Sequence, residues 1–420
     1  MLATTYSLHT VLSEDIKEAG RTQASIAEEL GVSKPTLSQV LKGDKSISLQ
    51  LLDGITSALQ RPCGHYYHLY MEECFSGDGK RPRKPKKLEK YILHCLEKGL
   101  DLQASEAISK MLEDGGYLAN IFDIGEELYT KGLLEKAFDY FGLVTKHERD
   151  RTAIHLAMAY YRQLKIIRNQ NTELACEIAI RLSDYLDFVK EDEMLEAYYK
   201  VISVFRLNYK WDHILTYGKK MLSLSYKENR LEYAGDALIK LAIAAREKGD
   251  INGAIQYHDE CMKIPVGNYR IWAEGNKYIT LIRAGDITGV RKLFDFCLLH
   301  REISYEGLEV ILDAAVSYDL QEIIQEFFVE FADQIKVIEQ ERNKEAVLQR
   351  GYINLILAKS IWQLKNGRFQ GVKDAMEAVE LAMKLRLKKQ AINGLKIVLQ
   401  HANKSSMEFQ KCLELLEKIA

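Results

Sequence analysis

The stretch QASIAEELGVSKPTLSQVLKG, residues 23–43, decides how the chain begins. Ile26, Ala27 and Leu30 recur at helical spacing and form the inner face of a first helix. Ala27 is small where a second helix has to cross closely. Gly31 supplies the sharp turn, and Val32 plugs the corner. Ser33 stands where a hydroxyl caps a second helix, and Pro35 is tolerated in that helix's first turn. Leu37, Val40 and Leu41 form its buried face. Outward remain Ser33, Lys34, Pro35, Thr36, Ser38, Gln39 and Lys42, a short polar surface of the kind that fits the major groove of double-stranded DNA.

This helix, turn and helix resembles the DNA-binding domains of phage repressors and of the Xre type of regulator. The resemblance covers about residues 8–75, with flanking helices near Leu8–Ala19, Leu49–Leu59 and His65–Phe75. It implies that Ser33, Lys34, Pro35 and Gln39 face bases, and that Gln23 holds a phosphate. Pro35 has no side-chain donor and reaches at most a thymine methyl, so readout falls on Lys34, Ser38 and Gln39. Thr36 and Lys42 complete the expected DNA-binding set. The competing reading of these helices is a protein-contact module without DNA binding.

Downstream, SGDGKRPRKPKK (residues 76–87) reads as a linker, because Gly and Pro break structure and six basic residues keep it solvated. Lys80, Arg81, Arg83, Lys84, Lys86 and Lys87 either lie along phosphates or form a solvated hinge. From residue 88 onward, apolar residues recur at helical spacing almost without pause. Of five prolines, only Pro265 lies beyond residue 85, as a long helical array requires.

That array repeats. Gly132 to Ala137, Gly249 to Ala254, Gly285 to Val290 and Gly367 to Val372 share the form Gly, four residues, small residue, and Tyr209 to Ile214 is a looser copy. Gly285 follows Gly249 by 36 residues, and Tyr209 precedes Gly249 by 40. Amphipathic helices flank each turn, such as Tyr233–Glu247 and Ile251–Met262. Two helices in a period of about 34 to 41 residues make a tetratricopeptide-like, right-handed helical solenoid. The expected fold is therefore all-α, with an Xre/lambda-repressor-like head at residues 1–75, the basic linker at 76–87, repeats over 88–404 and a terminal helix over 405–420.

Composition bounds the rest. The 420 residues are too many for one compact core. A net charge of −2 means that any surface attractive to nucleic acid is local. The seven cysteines are scattered without a Cys-x-x-Cys pair and read as the reduced, mostly buried cysteines of a cytosolic protein. The N-terminus lacks the features of a signal peptide, and no apolar run approaches the roughly 20 residues that span a bilayer. His65, His68 and Glu72 share a helix face near Cys63, but a packed aromatic helix (Tyr66, Tyr67, Tyr70, Phe75) explains them without a metal. No metal, cofactor or catalytic motif is expected, and the chain does not read as an enzyme.

A tetratricopeptide-like array offers a concave groove suited to an extended peptide. Polar candidates on its first helices are Arg206, Asn208, Asn229, Asp236, Asn276, Tyr278 and Asn354, since an Asn amide pairs with both groups of a peptide backbone. The order of parts, with Gly125–Gly132 (GEELYTKG) in the array, resembles the peptide-pheromone-responsive regulators of Gram-positive bacteria and their phages, the RRNPP group. Within it the layout is most like the arbitrium receptors of Bacillus phages. The resemblance implies a homodimer that binds an operator, is switched by a short signalling peptide, and serves quorum sensing or the choice between lysis and lysogeny. On the last helix Phe409, Cys412, Leu413, Leu416 and Ile419 share a face that caps the array or pairs with a twin; Phe409, Leu413 and Leu416 are the dimerisation candidates. The alternative partner is a protein, either an anti-repressor or a response regulator.

Overall fold

A computed structural model describes residues 7–75, 84–301, 305–341, 346–385 and 387–419. Among them the regular structure is helical. No helix is long and apolar enough to cross a membrane. The chain divides into two compact units, Met1–Asn208 and Tyr209–Ala420, a division that falls inside the 88–404 span.

The first unit opens with five short helices: α1 (Leu8–Glu18), α2 (Gln23–Glu29), α3 (Lys34–Leu41), α4 (Leu49–Ala58) and α5 (Tyr67–Glu72). A side-chain hydroxyl caps each of the first four. Ser7, Thr22, Ser33 and Ser48 accept from the backbone N–H of Thr10, Ser25, Thr36 and Leu51. Each such cap contributes about 1 kcal/mol and fixes where its helix starts. Leu8, Leu12, Ile16, Ile26, Leu37, Leu52 and Ile55 are buried between the helices.

Seven further helices complete the unit: α6 (Pro85–Glu97), α7 (Asp101–Asp114), α8 (Leu118–Thr130), α9 (Leu134–His147), α10 (Ile154–Ile167), α11 (Thr172–Ser183) and α12 (Glu191–Leu207). Helix α6 begins at Pro85, inside the span read as linker. Proline fits a first helical position, where its missing N–H has no partner to lose. Lys80, Arg81 and Arg83 lie outside the described residues.

The second unit contains α13 (Trp211–Lys227), α14 (Leu231–Glu247), α15 (Ile251–Cys261), α16 (Tyr269–Arg283), α17 (Thr288–Leu299), α18 (Tyr305–Ser317) and α19 (Gln321–Glu330). It continues with α20 (Ala332–Glu341), α21 (Ala346–Lys365), α22 (Gln370–Lys384), α23 (Lys388–His401) and α24 (Met407–Ile419). Successive helices pair, as α8 with α9, α14 with α15 and α21 with α22, and first helices of neighbouring pairs lie side by side. The head is thus followed by a helical repeat array. One helix breaks the two-helix period: α20 intervenes in sequence, yet α18 packs directly on α21.

The repeated turns explain the pairing. Gly132 and Gly249 adopt φ of 77° and 84°, a left-handed conformation that ends one helix and lets the next fold back. Five residues on, Ala137, Ala254, Val290 and Val372 are all buried, as is Ile214. Small residues there bring the paired helices together. A closer approach occurs at Gly235 of α14, where a Cβ would fall 2.5 Å from the Tyr269 ring.

Candidate nucleic-acid interface

Helices α2 and α3 carry the expected reading face. Ile26 and Ala27 are buried, Leu30 and Val32 are half-buried, and Gly31 turns the chain at φ 66°. Thr22 and Ser25 form a reciprocal capping box at the start of α2. Arg21 then ties this helix to α4. It donates to Glu29 at 2.5 Å and to the Ala58 carbonyl at 3.2 Å. Arg21 is therefore held by the protein, whereas Gln23 sits half-buried at the first position of α2.

On α3, Leu37, Val40 and Leu41 are buried, and Lys34, Pro35, Gln39 and Lys42 are exposed. Ser38 and Thr36 are half-buried. The Ser33 and Thr36 hydroxyls lie 2.8 Å apart, and Ser33 Oγ also accepts from the Thr36 N–H. Both hydroxyls thus serve the helix start. Donors and acceptors that project freely are those of Lys34, Gln39 and Lys42, with Ser38 beside them. This arrangement can present one amide and two ammonium groups to base edges and phosphates.

Charge sharpens the picture. Residues 7–75 contain six Lys and Arg against nine Asp and Glu, a net of −3. An acidic head can meet DNA only where its cations cluster, and Lys34, Lys42 and Lys45 are all exposed on or beside α3. Two of the linker cations, Lys86 and Lys87, are engaged within the protein. Lys86 pairs with Glu89 at 3.1 Å and Asp123 at 2.8 Å. Lys87 pairs with Glu73 at 3.4 Å and lies 4.0 Å above the Tyr70 ring.

Of the His65, His68 and Glu72 set, two have other contacts. His65 packs edge-on against Tyr66, and Glu72 accepts from Lys110 at 2.6 Å. Among the described residues no group of three His, Cys, Asp or Glu could hold a metal ion.

The seven peptide candidates are dispersed. Arg206 and Asn208 belong to the first unit, the others to the second. Several bond within their own helix. Asn208 donates to the Val204 carbonyl, Asn276 to that of Trp272, and Tyr278 to Glu274, each at 2.9 Å. Asp236 pairs with Lys240 at 3.5 Å. Asn229 occupies the α13–α14 turn with φ 54°, a conformation Asn tolerates. Two reach a neighbouring helix: Asn354 donates to Glu309 of α18 at 2.5 Å, and the Tyr278 ring packs edge-on against Phe296 of α17.

The sequence reading passed over Arg162, which is 7% exposed and lies between Glu126 of α8 and Glu193 of α12. Burial opposes its charge, but hydrogen bonds to Glu193 and Glu126 hold its pKa above the usual arginine value. The Arg162 hydrogen bond in turn holds the Glu193 carboxyl below its ordinary range. The available signal was spacing. Glu126 precedes Arg162 by one repeat period, 36 residues.

The C-terminal face divides. Cys412 is buried, and Leu416 packs on the core of the second unit with Leu415. Phe409 is half-buried. Leu413 is 41% exposed and Met407 79%. The Ile419 side chain lies outside the described residues.

Residues 12–64 match the helix-turn-helix family model. No curated protein matches the chain. Among solved structures, PlcR of Bacillus thuringiensis in complex with the peptide PapR7 and DNA is 13% identical, with 77% of this chain and 98% of that chain covered and a TM-score of 0.26. A Rap protein complexed with Competence and Sporulation Factor is 11% identical, with 98% and 100% covered and a TM-score of 0.27. Scores this far below 0.5 leave the assignment of the array with its own helix pairs.

Proposed function

We propose that this chain is a DNA-binding transcriptional regulator whose operator affinity is controlled by a short signalling peptide held by the repeat helices. The observation that carries the DNA reading is the exposed face of α3, where Lys34, Gln39 and Lys42 project from the helix-turn-helix. Gln39 reads a base edge, Lys34 and Lys42 meet phosphates or guanine, and Gln23 steadies the start of α2 against the backbone. Support for the peptide reading is architectural: tandem helix pairs following a reading head resemble the peptide-responsive regulators in their order of parts.

The regulator acts as a homodimer, because one such head reads too few bases for a specific site. Two heads occupy both half-sites only when they stand about one helical turn apart, ~34 Å, or a multiple of it. Peptide binding shifts that separation. A coupling of ~1–3 kcal/mol changes occupancy by about 5–150-fold. The setting is quorum sensing or the choice between lysis and lysogeny, and the chain is not an enzyme.

Genome-wide footprinting of the bound DNA, followed by a gel-shift titration on the recovered site, tests both parts. A discrete bound site supports the DNA reading, and its absence removes it. Short peptides encoded beside that site should change the affinity. If none does, peptide control fails while DNA binding stands.

A further inference from the structure

The head and the start of the array meet along a built seam. Tyr91 of α6 is fully buried, its ring centroid 5.7 Å from that of Tyr67 and 5.8 Å from that of Tyr70. Asp53 of α4 accepts from Tyr67 at 2.5 Å, lies 2.8 Å from His94 Nε2 of α6 and faces Lys98 at 3.7 Å. Glu72 reaches Lys110 of α7. These contacts tie the head to α6 and α7 at several points, so the head is not carried by its peptide connection alone.

One contact in this seam leads to the reading helix. Glu73 Oε1 lies 3.0 Å from His9 Nε2 of α1, while its other oxygen, Oε2, lies 3.4 Å from Lys87 Nζ of α6. All three side chains are less than a quarter exposed. The His9 ring abuts Gly43, just beyond α3, where a Cβ would meet it at 3.4 Å. Gly43 has φ 81°, and the chain around it folds back so that the N–H groups of Asp44 and Lys45 both donate to the Gln39 carbonyl. Helix α1 supports the same end again through Ser13, which donates to the Leu41 carbonyl.

We propose that Glu73 is a positioning residue that couples the array to the recognition helix: one oxygen holds Lys87 of the first array helix, and the other holds the His9 ring against the end of α3. A shift of α6 moves Lys87, and Glu73 passes that shift to His9 and so to the end of α3 that carries Gln39 and Lys42. This gives the array a contact path to the reading face that does not depend on linker length. The inference rests on the proposed reading of α3 as the DNA-facing helix, but the coupling itself is measurable without DNA or peptide.

Hydrogen exchange on the full chain tests it, with Glu73→Gln, Lys87→Met and the double variant. Amides of residues 42–45 are expected to exchange about fivefold faster in either single variant, the effect of losing one partly exposed ion pair. The double variant should exchange no faster at these amides than Glu73→Gln, because the path from Lys87 to the end of α3 runs through Glu73, whereas its contact with the Tyr70 ring does not lead there. Amides of residues 26–30 in α2 should be unchanged, which a general loosening of the head would not allow. Equal added effects of Lys87→Met with and without Glu73, or unchanged exchange in both single variants, overturns the proposal. If Glu73→Gln does not fold, His9→Gln takes its place in the same comparison. A negative result leaves operator binding standing, and a failure to bind DNA leaves the coupling standing.

Discussion

Arg162 of α10 donates from Nε and Nη2 to the two carboxylate oxygens of Glu126 on α8, at 2.7 and 3.1 Å. The same guanidinium bonds both oxygens of Glu193 on α12. One side chain thereby pins α8, α10 and α12 together. A planar fork with donors on two edges suits this role, and a lysine could not replace it.

Replacing Arg162 with Met should destabilise the first unit by about 3 kcal/mol, since two half-buried carboxylates lose their partner while keeping some contact with water. Urea melts monitored by circular dichroism measure this. A loss below that of an ordinary surface substitution would show the network to be ornamental.

The same pair gives an acid dependence. Glu193 has a depressed folded-state pKa, so its contribution is present above its ordinary value of 4.5 and disappears as pH falls through the lower folded value. Wild-type stability should fall below pH 4.5, and the Arg162→Met variant should lose less over that interval. Parallel melts across this range distinguish the two.

His258 acts at higher pH. It is buried between α15 and α16, with Nε2 3.1 Å from Thr280 Oγ1, and burial lowers its pKa from 6.5 to about 4. A depressed histidine favours the neutral folded form, so its stabilisation is complete above pH 6.5 and declines as pH falls toward 4. Between pH 7.5 and 5 the wild type should lose roughly 2 kcal/mol that His258→Gln does not. Identical pH profiles for the two proteins would rule this out.

On the reading face, Gln39→Ala should cost ~1–3 kcal/mol of operator binding and relax preference at one base pair. Lys42→Ala should weaken all sequences alike and reduce the salt slope by ~0.9. Binding titrations at several salt concentrations on matched and altered sites separate these outcomes. Base selectivity unaltered in Gln39→Ala would remove that residue from readout.

Leu413 tests the proposed dimer. It is 41% exposed on α24, so Leu413→Glu should leave thermal stability within about 0.5 kcal/mol. Sedimentation should nevertheless show a shift from dimer to monomer. An unchanged dimer would place the interface elsewhere and assign α24 to capping alone.

The head was the most legible part of the chain. Ser33, Gly31, Leu37 and Val40 act through neighbours a few residues away, and local spacing reveals such roles. The repeat turns were legible for the same reason: Gly132 and Gly249 end helices by backbone geometry, and Ala137 and Ala254 sit at a fixed distance beyond them. Helix α20 was not legible, because an added helix in a degenerate array leaves the hydrophobic spacing intact on both sides. Nor was the partnering of Lys86 and Lys87, which read as linker charges until α6 brought them to Asp123 and Glu73.

By itself the sequence determined the helical fold class, the helix-turn-helix head, and the positions where helices start, stop and turn back. Those depend on caps, left-handed glycines and apolar spacing, all short-range effects. Only the tertiary structure decided which polar groups remain available. Asn276 and Asn208 donate to their own helices, Arg162 is enclosed by two glutamates, and Glu73 joins residues far apart in the chain. Partner choice is set by the distance between side chains after folding, and a linear spacing rule does not contain it.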